Sequence, residues 1–167
     1  MSRVVTPAQT RCEMTWIVLP QHTNALGSAF GGAVMSWIDI AAAIAAQRFA
    51  HTDVVTASMD QLSFRAAIPL GHVAVLQSLV NWAGRTSMEV GVRVEHEHPY
   101  TGARTHTSTA YLTFVALDSD GNKVAVPTLK PETEDECRRW EEATERRNRR
   151  LAAREQLKIQ RQARKDR

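Results

Sequence analysis

Cysteine is scarce in this chain. Cys12 and Cys137 are the only two in 167 residues, and they fit neither a CxxC motif nor a metal spacing. No disulfide framework or thiolate metal centre can be built from them, and both are expected to be reduced thiols in a cytosolic protein. Aromatic residues make up 6% of the chain. Beyond residue 137 only Trp140 is aromatic, which leaves base stacking little to work with, and no nucleic-acid partner is expected. The stretch AFGGAVMS lacks the Lys-Ser/Thr of a phosphate loop. No Ser or Cys occupies a nucleophile elbow. The six histidines form no ligand pattern; His96 and His98 flank Glu97 without an evident third ligand, so no metal is expected. The opening MSRVVTPAQTRCEMTW has no apolar run of signal-peptide type. The longest apolar segment, Phe30 to Ala46, is shorter than the ~20 residues a bilayer requires, and it carries Gly31, Gly32, Ser36 and Asp39. It is expected to be a buried core helix rather than a membrane span, in a cytoplasmic protein.

Charge is unevenly spread. Residues 1–137 hold 9 Lys+Arg against 13 Asp+Glu, a balance of −4, whereas residues 138–167 hold 12 against 5, a balance of +7. The pI of about 9.2 therefore belongs to the tail. A solvated helix is the plain reading of that tail. Trp140, Leu151, Leu157 and Ile159 add limited apolar contacts, from which docking on a neighbouring subunit, with modest steering of anionic substrate, is expected.

The periodicity predicts a strand over Arg11 to Val18, a helix over Ala33 to Ala50, and then four consecutive strands. These are Val54 to Phe64, Val73 to Trp82, the alternating Met88 to Glu95, and Arg104 to Leu117. Met88, Val90, Val92 and Val94 alternate with Glu89, Gly91, Arg93 and Glu95, which implies one buried and one wet face. Four strands in succession require an antiparallel sheet, and the helix must cover its apolar face. A helix apolar nearly all round must be enclosed on most sides. Composition changes after Pro127 and Pro131. Thr133 with Glu136 makes a capping box that opens a charged helix. Two domains are expected, residues 1–130 and a helical extension over 131–167.

The most informative stretch is Asn24 to Asp39, NALGSAFGGAVMSWID. Asp39 is a lone carboxylate in an apolar helix, where an ionised and unpaired charge would cost several kcal/mol. Met35, Ala42 and Ala43, its helical neighbours, cannot pair with it. It is left poised as a general base or a nucleophile; satisfaction by Ser36 or by backbone is the structural alternative. Asn24 can hold a water or a carbonyl without titrating, or can simply make a turn. Gly31 and Gly32 bring bare backbone to the helix start, where N–H groups can meet an oxyanion or where glycine merely permits close packing.

These segments resemble the acyl-CoA thioesterases of the cytosolic acyl-CoA hydrolase family, which have the hotdog fold. The family pattern Asn-x-x-Gly-x-x-(His/Phe)-Gly-Gly matches Asn24, Gly27, Phe30, Gly31 and Gly32, and Met-x-x-x-Asp matches Met35 and Asp39. VVTASMDQLSF (Val54 to Phe64), GRTSMEVGVRVE (Gly84 to Glu95) and VPTLKPETEDE (Val126 to Glu136) extend the likeness. The resemblance implies an α+β hotdog fold, with an antiparallel sheet of about five strands wrapped around one long central helix. The charged C-terminal helix follows it. It further implies hydrolysis of fatty acyl-CoA to free acid and CoA, with Asp39 of one subunit and Asn24 of the other meeting at a homodimer interface, in a larger assembly such as a trimer of dimers. Arg85, Thr86 and Ser87 are expected near the CoA nucleotide, whose phosphates favour Arg and hydroxyl donors. No cofactor is expected, since coenzyme A is part of substrate and product. Many relatives carry His where this chain has Phe30, a departure that shifts the expected substrate preference. The rival readings are a hotdog acyl-thioester hydratase or dehydratase and a non-catalytic acyl-CoA or nucleotide sensor.

Overall fold

A computed structural model describes residues 3–165, leaving aside the side chains of Gln61, Ala163 and Lys165. In chain order it contains β1 (Val4–Val5), α1 (Pro7–Thr10), β2 (Cys12–Ile17), α2 (Gly31–Ala50), β3 (Asp53–Phe64), β4 (Val73–Ala83), β5 (Ser87–Glu97), β6 (Arg104–Leu117), β7 (Thr128–Leu129) and α3 (Glu134–Lys165). The chain forms two compact units, Met1–Lys130 and Pro131–Arg167.

In the first unit five strands form one antiparallel sheet in the order β2-β4-β5-β6-β3. The strands are consecutive in sequence from β3 to β6, yet β3 and β4 lie apart, with β5 and β6 between them. β2 and β3 are therefore the two edges. β3 carries register shifts between Thr56 and Ser58 and between Met59 and Leu62, the extra residues of β-bulges that bend a strand and sharpen its twist. That curvature lets one sheet wrap one helix.

α2 fills the concavity. Its sheet-facing stripe is small and apolar: Ala41, Ala42, Ala45 and Ala46 are fully buried, as are Ile38 and Phe49. Alanine permits close approach, and the Ser78 hydroxyl donates to the Ala41 carbonyl at 2.7 Å. Phe49, Phe114, Met88 and Leu112 complete the core, each contributing about 2 kcal/mol by burial. Contrary to the expectation above, the helix is not enclosed on most sides: Met35, Ser36 and Ile40 are exposed, and Asp39 is half-buried beside them. It begins earlier than expected, since Gly31 and Gly32 already adopt helical backbone after the extended Phe30. At 20 residues and mean hydropathy 1.2 it is long and apolar enough to cross a bilayer. Its eight residues buried in the fold assign it to the core instead. His51, in left-handed backbone with φ 53°, ends it.

The outer face of β5 is drier than alternation suggests. Glu89 is buried, and its Oε1 accepts from Asn81 Nδ2 at 3.4 Å. Two short pieces escape periodicity altogether. β1 pairs in parallel with β7, and α1 is pinned to β4 by Thr10, whose hydroxyl oxygen accepts from the Val80 N–H at 2.9 Å.

In the second unit the capping box forms: the Glu136 N–H donates to Thr133 Oγ1, and the Thr133 N–H donates to Glu136 Oε2, both at 3.2 Å. Along α3, Arg138 pairs with Asp135 and Glu142, and Arg139 with Asp135. The guanidinium of Arg138 holds the Asp135 carboxyl below its ordinary value. Both cysteines are free, Cys12 buried and Cys137 exposed.

Candidate active site

Asp39 stands two turns into α2, and the strand beside it supplies what its helical neighbours lack. Thr56 of β3 donates its hydroxyl to Asp39 Oδ1 at 2.7 Å. The carboxylate is therefore partnered, contrary to the expectation from helix spacing alone. Ser36 is not the partner, because its hydroxyl returns to the Ala33 carbonyl at 2.9 Å. Thr56 leaves the second carboxylate oxygen available, and the half-buried position keeps it reachable from the open side of α2. Thr56 is the residue that sequence reasoning missed. The one signal for it was a hydroxyl on the strand following the carboxylate helix, and only the strand register turns that into a contact.

The start of α2 is a different kind of site. No side chain caps the helix there. The N–H groups of Ala33 and Val34 return to the Phe30 carbonyl, whereas those of Gly31 and Gly32 have no acceptor among the described residues. They point out of the helix with its positive end behind them. A cavity of about 330 Å³ adjoins them, lined by Ser28, Gly31, Val34, Phe64, Arg65 and Ile68 among others. That volume suits a small-molecule ligand.

Asn24 lies in the loop that leads into this helix start, and its carboxamide is engaged locally. Oδ1 accepts from the N–H of Leu26 at 2.9 Å and of Ser28 at 3.3 Å, while Nδ2 donates to Ser28 Oγ at 3.2 Å. Gly27, with φ 73°, closes the turn. The loop hangs on the segment before β4: the Leu70 N–H donates to the Gly27 carbonyl and the Ala29 N–H to the Ile68 carbonyl. Within one chain Asn24 and Asp39 are not bonded to each other. Gly31 and Asp39 are eight residues apart in one helix, about 12 Å along its axis.

Arg85 and Thr86 occupy the β4–β5 turn, and Ser87 opens β5. Their backbone is fixed by the Gly84 N–H donating to the Ser87 carbonyl and the Val126 N–H to that of Arg85. The Arg85 side chain is exposed. Ser87 pairs with Val115 and Val115 with Val55, which puts this turn at the sheet end where Thr56 meets Asp39. The turn and the helix start are thus at different places along the sheet. At the other end of β4 and β5, His72 lies edge-on to His96 and His98, with ring centroids 5.3 and 4.9 Å away. Among the described residues no group of three His, Cys, Asp or Glu is arranged to hold a metal ion.

A sequence model of the thioesterase superfamily matches residues 26–103. The uncharacterised acyl-CoA thioester hydrolase YkhA of Bacillus subtilis is 46% identical over 80% of this chain and 77% of that protein. The chain belongs to the thioesterase superfamily. Its kinship extends to longer members: mouse acyl-coenzyme A thioesterase 11 is 37% identical over 90% of this chain, which spans 25% of that protein. Among solved thioesterases, the apo form of a hexameric acyl-CoA thioesterase is 40% identical. It superposes with a TM-score of 0.87 over 90% of this chain and 97% of its own. An acyl-CoA hydrolase from Staphylococcus aureus, in complex with butyryl coenzyme A and coenzyme A, is 35% identical with TM-score 0.87, over 94% and 96%. Further solved forms of that hydrolase carry alanine in place of an asparagine, an aspartate 15 positions later, and a threonine 17 positions beyond that. Asn24, Asp39 and Thr56 follow one another at the same intervals. The hotdog architecture expected from the sequence, a five-stranded antiparallel sheet around one long helix with a further C-terminal helix, is the one observed.

Proposed function

We propose that this acyl-CoA thioesterase performs hydrolysis at a site shared between two copies of the chain. The observation that carries the proposal is the separation of its parts. Gly31 and Asp39 are about 12 Å apart along one helix, too far for one thioester carbonyl to contact both. A second copy, laid against the exposed Met35, Ser36 and Ile40 of α2 and the free edge of β3, brings its helix start and its Asn24 loop to the Asp39 of the first. Exposed apolar surface and an unpaired strand edge both favour such a cover. The hexameric state of a solved relative supports a trimer of such dimers.

In that arrangement Asp39, oriented by Thr56, takes a proton from water as the water attacks the thioester carbonyl, or attacks the carbonyl itself. The charge that develops on the carbonyl oxygen is met by the N–H groups at the start of α2, already free and already oriented. Asn24 exchanges one of its loop contacts for the water or the carbonyl. Collapse of the tetrahedral species expels CoA as thiolate, leaving the free acid when water is the nucleophile and an acyl anhydride on Asp39, which a water then hydrolyses to the free acid, when the carboxylate attacks. The roles of Asn24, Asp39, Gly31 and Gly32 are proposals, as is the placement of CoA phosphates near Arg85, Thr86 and Ser87. The exposed guanidinium and its position at the Asp39 end of the sheet favour the last. The reaction requires no cofactor beyond the coenzyme A of its substrate. Mammalian relatives named as cytosolic acyl coenzyme A thioester hydrolases favour a cytoplasmic setting.

Complementation tests the shared site. Asp39→Asn and Asn24→Ala chains are each expected to be nearly inactive in releasing CoA thiol from butyryl-CoA. Co-expressed and co-purified, they are expected to recover turnover, because mixed dimers hold one site with both residues intact. Mixed dimers as inactive as the parents would overturn the shared site. Absence of thiol release by the unmodified protein from any acyl-CoA would favour the sensor reading instead.

A further inference from the structure

Gly31 and Gly32 each face a phenyl ring, and the two contacts differ. A Cβ on Gly31 would sit 3.6 Å from Phe64 Cε2 and Cζ, ordinary van der Waals contact. A Cβ on Gly32 would collide with the Phe30 ring, with Cδ1 at 3.0 Å and Cζ at 3.2 Å. The Phe30 ring thus lies directly on bare backbone, in a place that opens only because residue 32 has no side chain. Phe30 is 59% exposed and Phe64 50% exposed, so each ring spends one face on the helix start and turns much of the rest outward. Successive residues of a helix point about 100° apart around its axis, so the rings wall two sides of a corner. The unpaired N–H groups of Gly31 and Gly32 belong to the same helix start, and Gly31 and Phe64 also line the 330 Å³ cavity. Two large apolar rings beside free donors and a cavity make a surface suited to a ligand with a polar acceptor and an apolar chain.

We propose that Phe30 and Phe64 are specificity-determining residues that close on the carbon atoms next to the thioester carbonyl, admitting straight acyl chains and excluding those branched at the adjacent carbon, and that Gly32 is a positioning residue that keeps the Phe30 ring seated. The proposal rests on the thioesterase reading of the site. With the carbonyl oxygen on the N–H groups, the first chain carbon must lie in the corner between the rings. A straight chain presents two hydrogens there and gains contact with both faces. A branching methyl group meets a wall.

The test compares butyryl-CoA with isobutyryl-CoA, by kcat/KM, in the unmodified protein and in Phe30→Ala, Phe64→Ala, Gly32→Ala and the Phe30→Ala, Gly32→Ala double variant. The unmodified protein is expected to favour butyryl-CoA. Phe30→Ala and Phe64→Ala are each expected to erode that preference by about 10-fold, the scale of one methyl group in an apolar pocket. Gly32→Ala is expected to erode it comparably while Phe30 is present and to add nothing once Phe30 is gone, a coupling that a merely structural glycine would not give. An unchanged ratio in the phenylalanine variants, or an equal effect of Gly32→Ala with and without Phe30, would overturn the proposal. So would variants that elute at a smaller mass and lose activity on both substrates alike, since the rings would then belong to the subunit interface. Failure of the unmodified protein to hydrolyse either ester, or longer ones, would instead remove the thioesterase reading beneath the proposal.

Discussion

The start of α2 and its middle, about 12 Å apart, are built on opposite chemistry. The start offers donors that belong to the backbone: two N–H groups, exposed because Phe30 does not cap the helix and because residues 31 and 32 have no side chains. The middle offers an acceptor that belongs to a side chain, Asp39, held by a hydroxyl 17 residues away in sequence. The first is shaped mainly by bonds within its own loop, Asn24 with Leu26 and Ser28, with the segment before β4 joining through the Leu70 N–H to the Gly27 carbonyl. The second depends on the register of β3 against the helix. In the proposed mechanism the carboxylate and the oxyanion donors must both reach one carbonyl, and a rigid helix keeps these two apart within a chain. The difference is the reason the proposed site is placed between two chains.

The sharpest way to break the comparison is to remove the acceptor. Asp39→Asn is expected to lower kcat by ~10²-fold or more, the loss that follows removal of a general base, with the circular dichroism spectrum unchanged. A folded variant with near-normal turnover would remove Asp39 from the chemistry.

Next in size is the hydroxyl. Thr56→Val keeps the branched shape suited to a strand, and the loss of one hydrogen bond to a charged group is expected to lower kcat about 10-fold, with little change in KM. A change confined to KM would make Thr56 a substrate contact rather than the group that orients Asp39.

Acid should discriminate between the two ends. His72 is held below its ordinary value of 6.5 by burial and by the neighbouring His98 and His96. The unfolded chain binds this proton more readily than the folded one, so stability present above about pH 6.5 declines as pH falls below it. The segment Ile68 to His72 carries the Asn24 loop. The melting temperature is therefore expected to drop between pH 7 and pH 5, and less so in His72→Phe. An equal drop in both proteins would clear His72 of the effect.

The smallest effect belongs to the tail. Exposed pairs such as Lys158 with Glu155 contribute about 0–1 kcal/mol each. Truncation after Arg146 is expected to leave the melting temperature nearly unchanged and to raise KM modestly at low salt but not at high salt. A changed assembly mass would show that α3 docks a neighbouring subunit, and unchanged values throughout would leave a solvated helix.

Legibility in the sequence followed the range of the interactions. The alternation from Met88 to Val94 and the alanine-rich run of α2 announced their elements because each repeats its own period. β1, α1 and β7, of two to four residues, are too short to repeat anything. The turn at Asn24 and the bare helix start at Gly31 and Gly32 could be read because their contacts are local to a loop and a helix end. Asp39 stands out as the one charge in an apolar run, but its partner does not, since helical spacing is blind to a hydroxyl carried by the next strand. Alternation puts Glu89 on a wet face although it is buried, because alternation assigns a side of the sheet and burial depends on what lies over that side.

The bulges of β3 carry one more consequence. A flat edge would offer its row of N–H and carbonyl groups to any extended strand, and growth by edge addition has no natural end. Two register shifts, after Thr56 and after Met59, break that row into short pieces of mismatched phase, and Asp53 and Asp60 place charge along it. Only a strand with the same interruptions can follow it over its length, and a copy of this chain is such a strand. In the proposed dimer the curvature that seats the helix thus also limits polymerisation, since one copy would meet the edge and the addition would stop there.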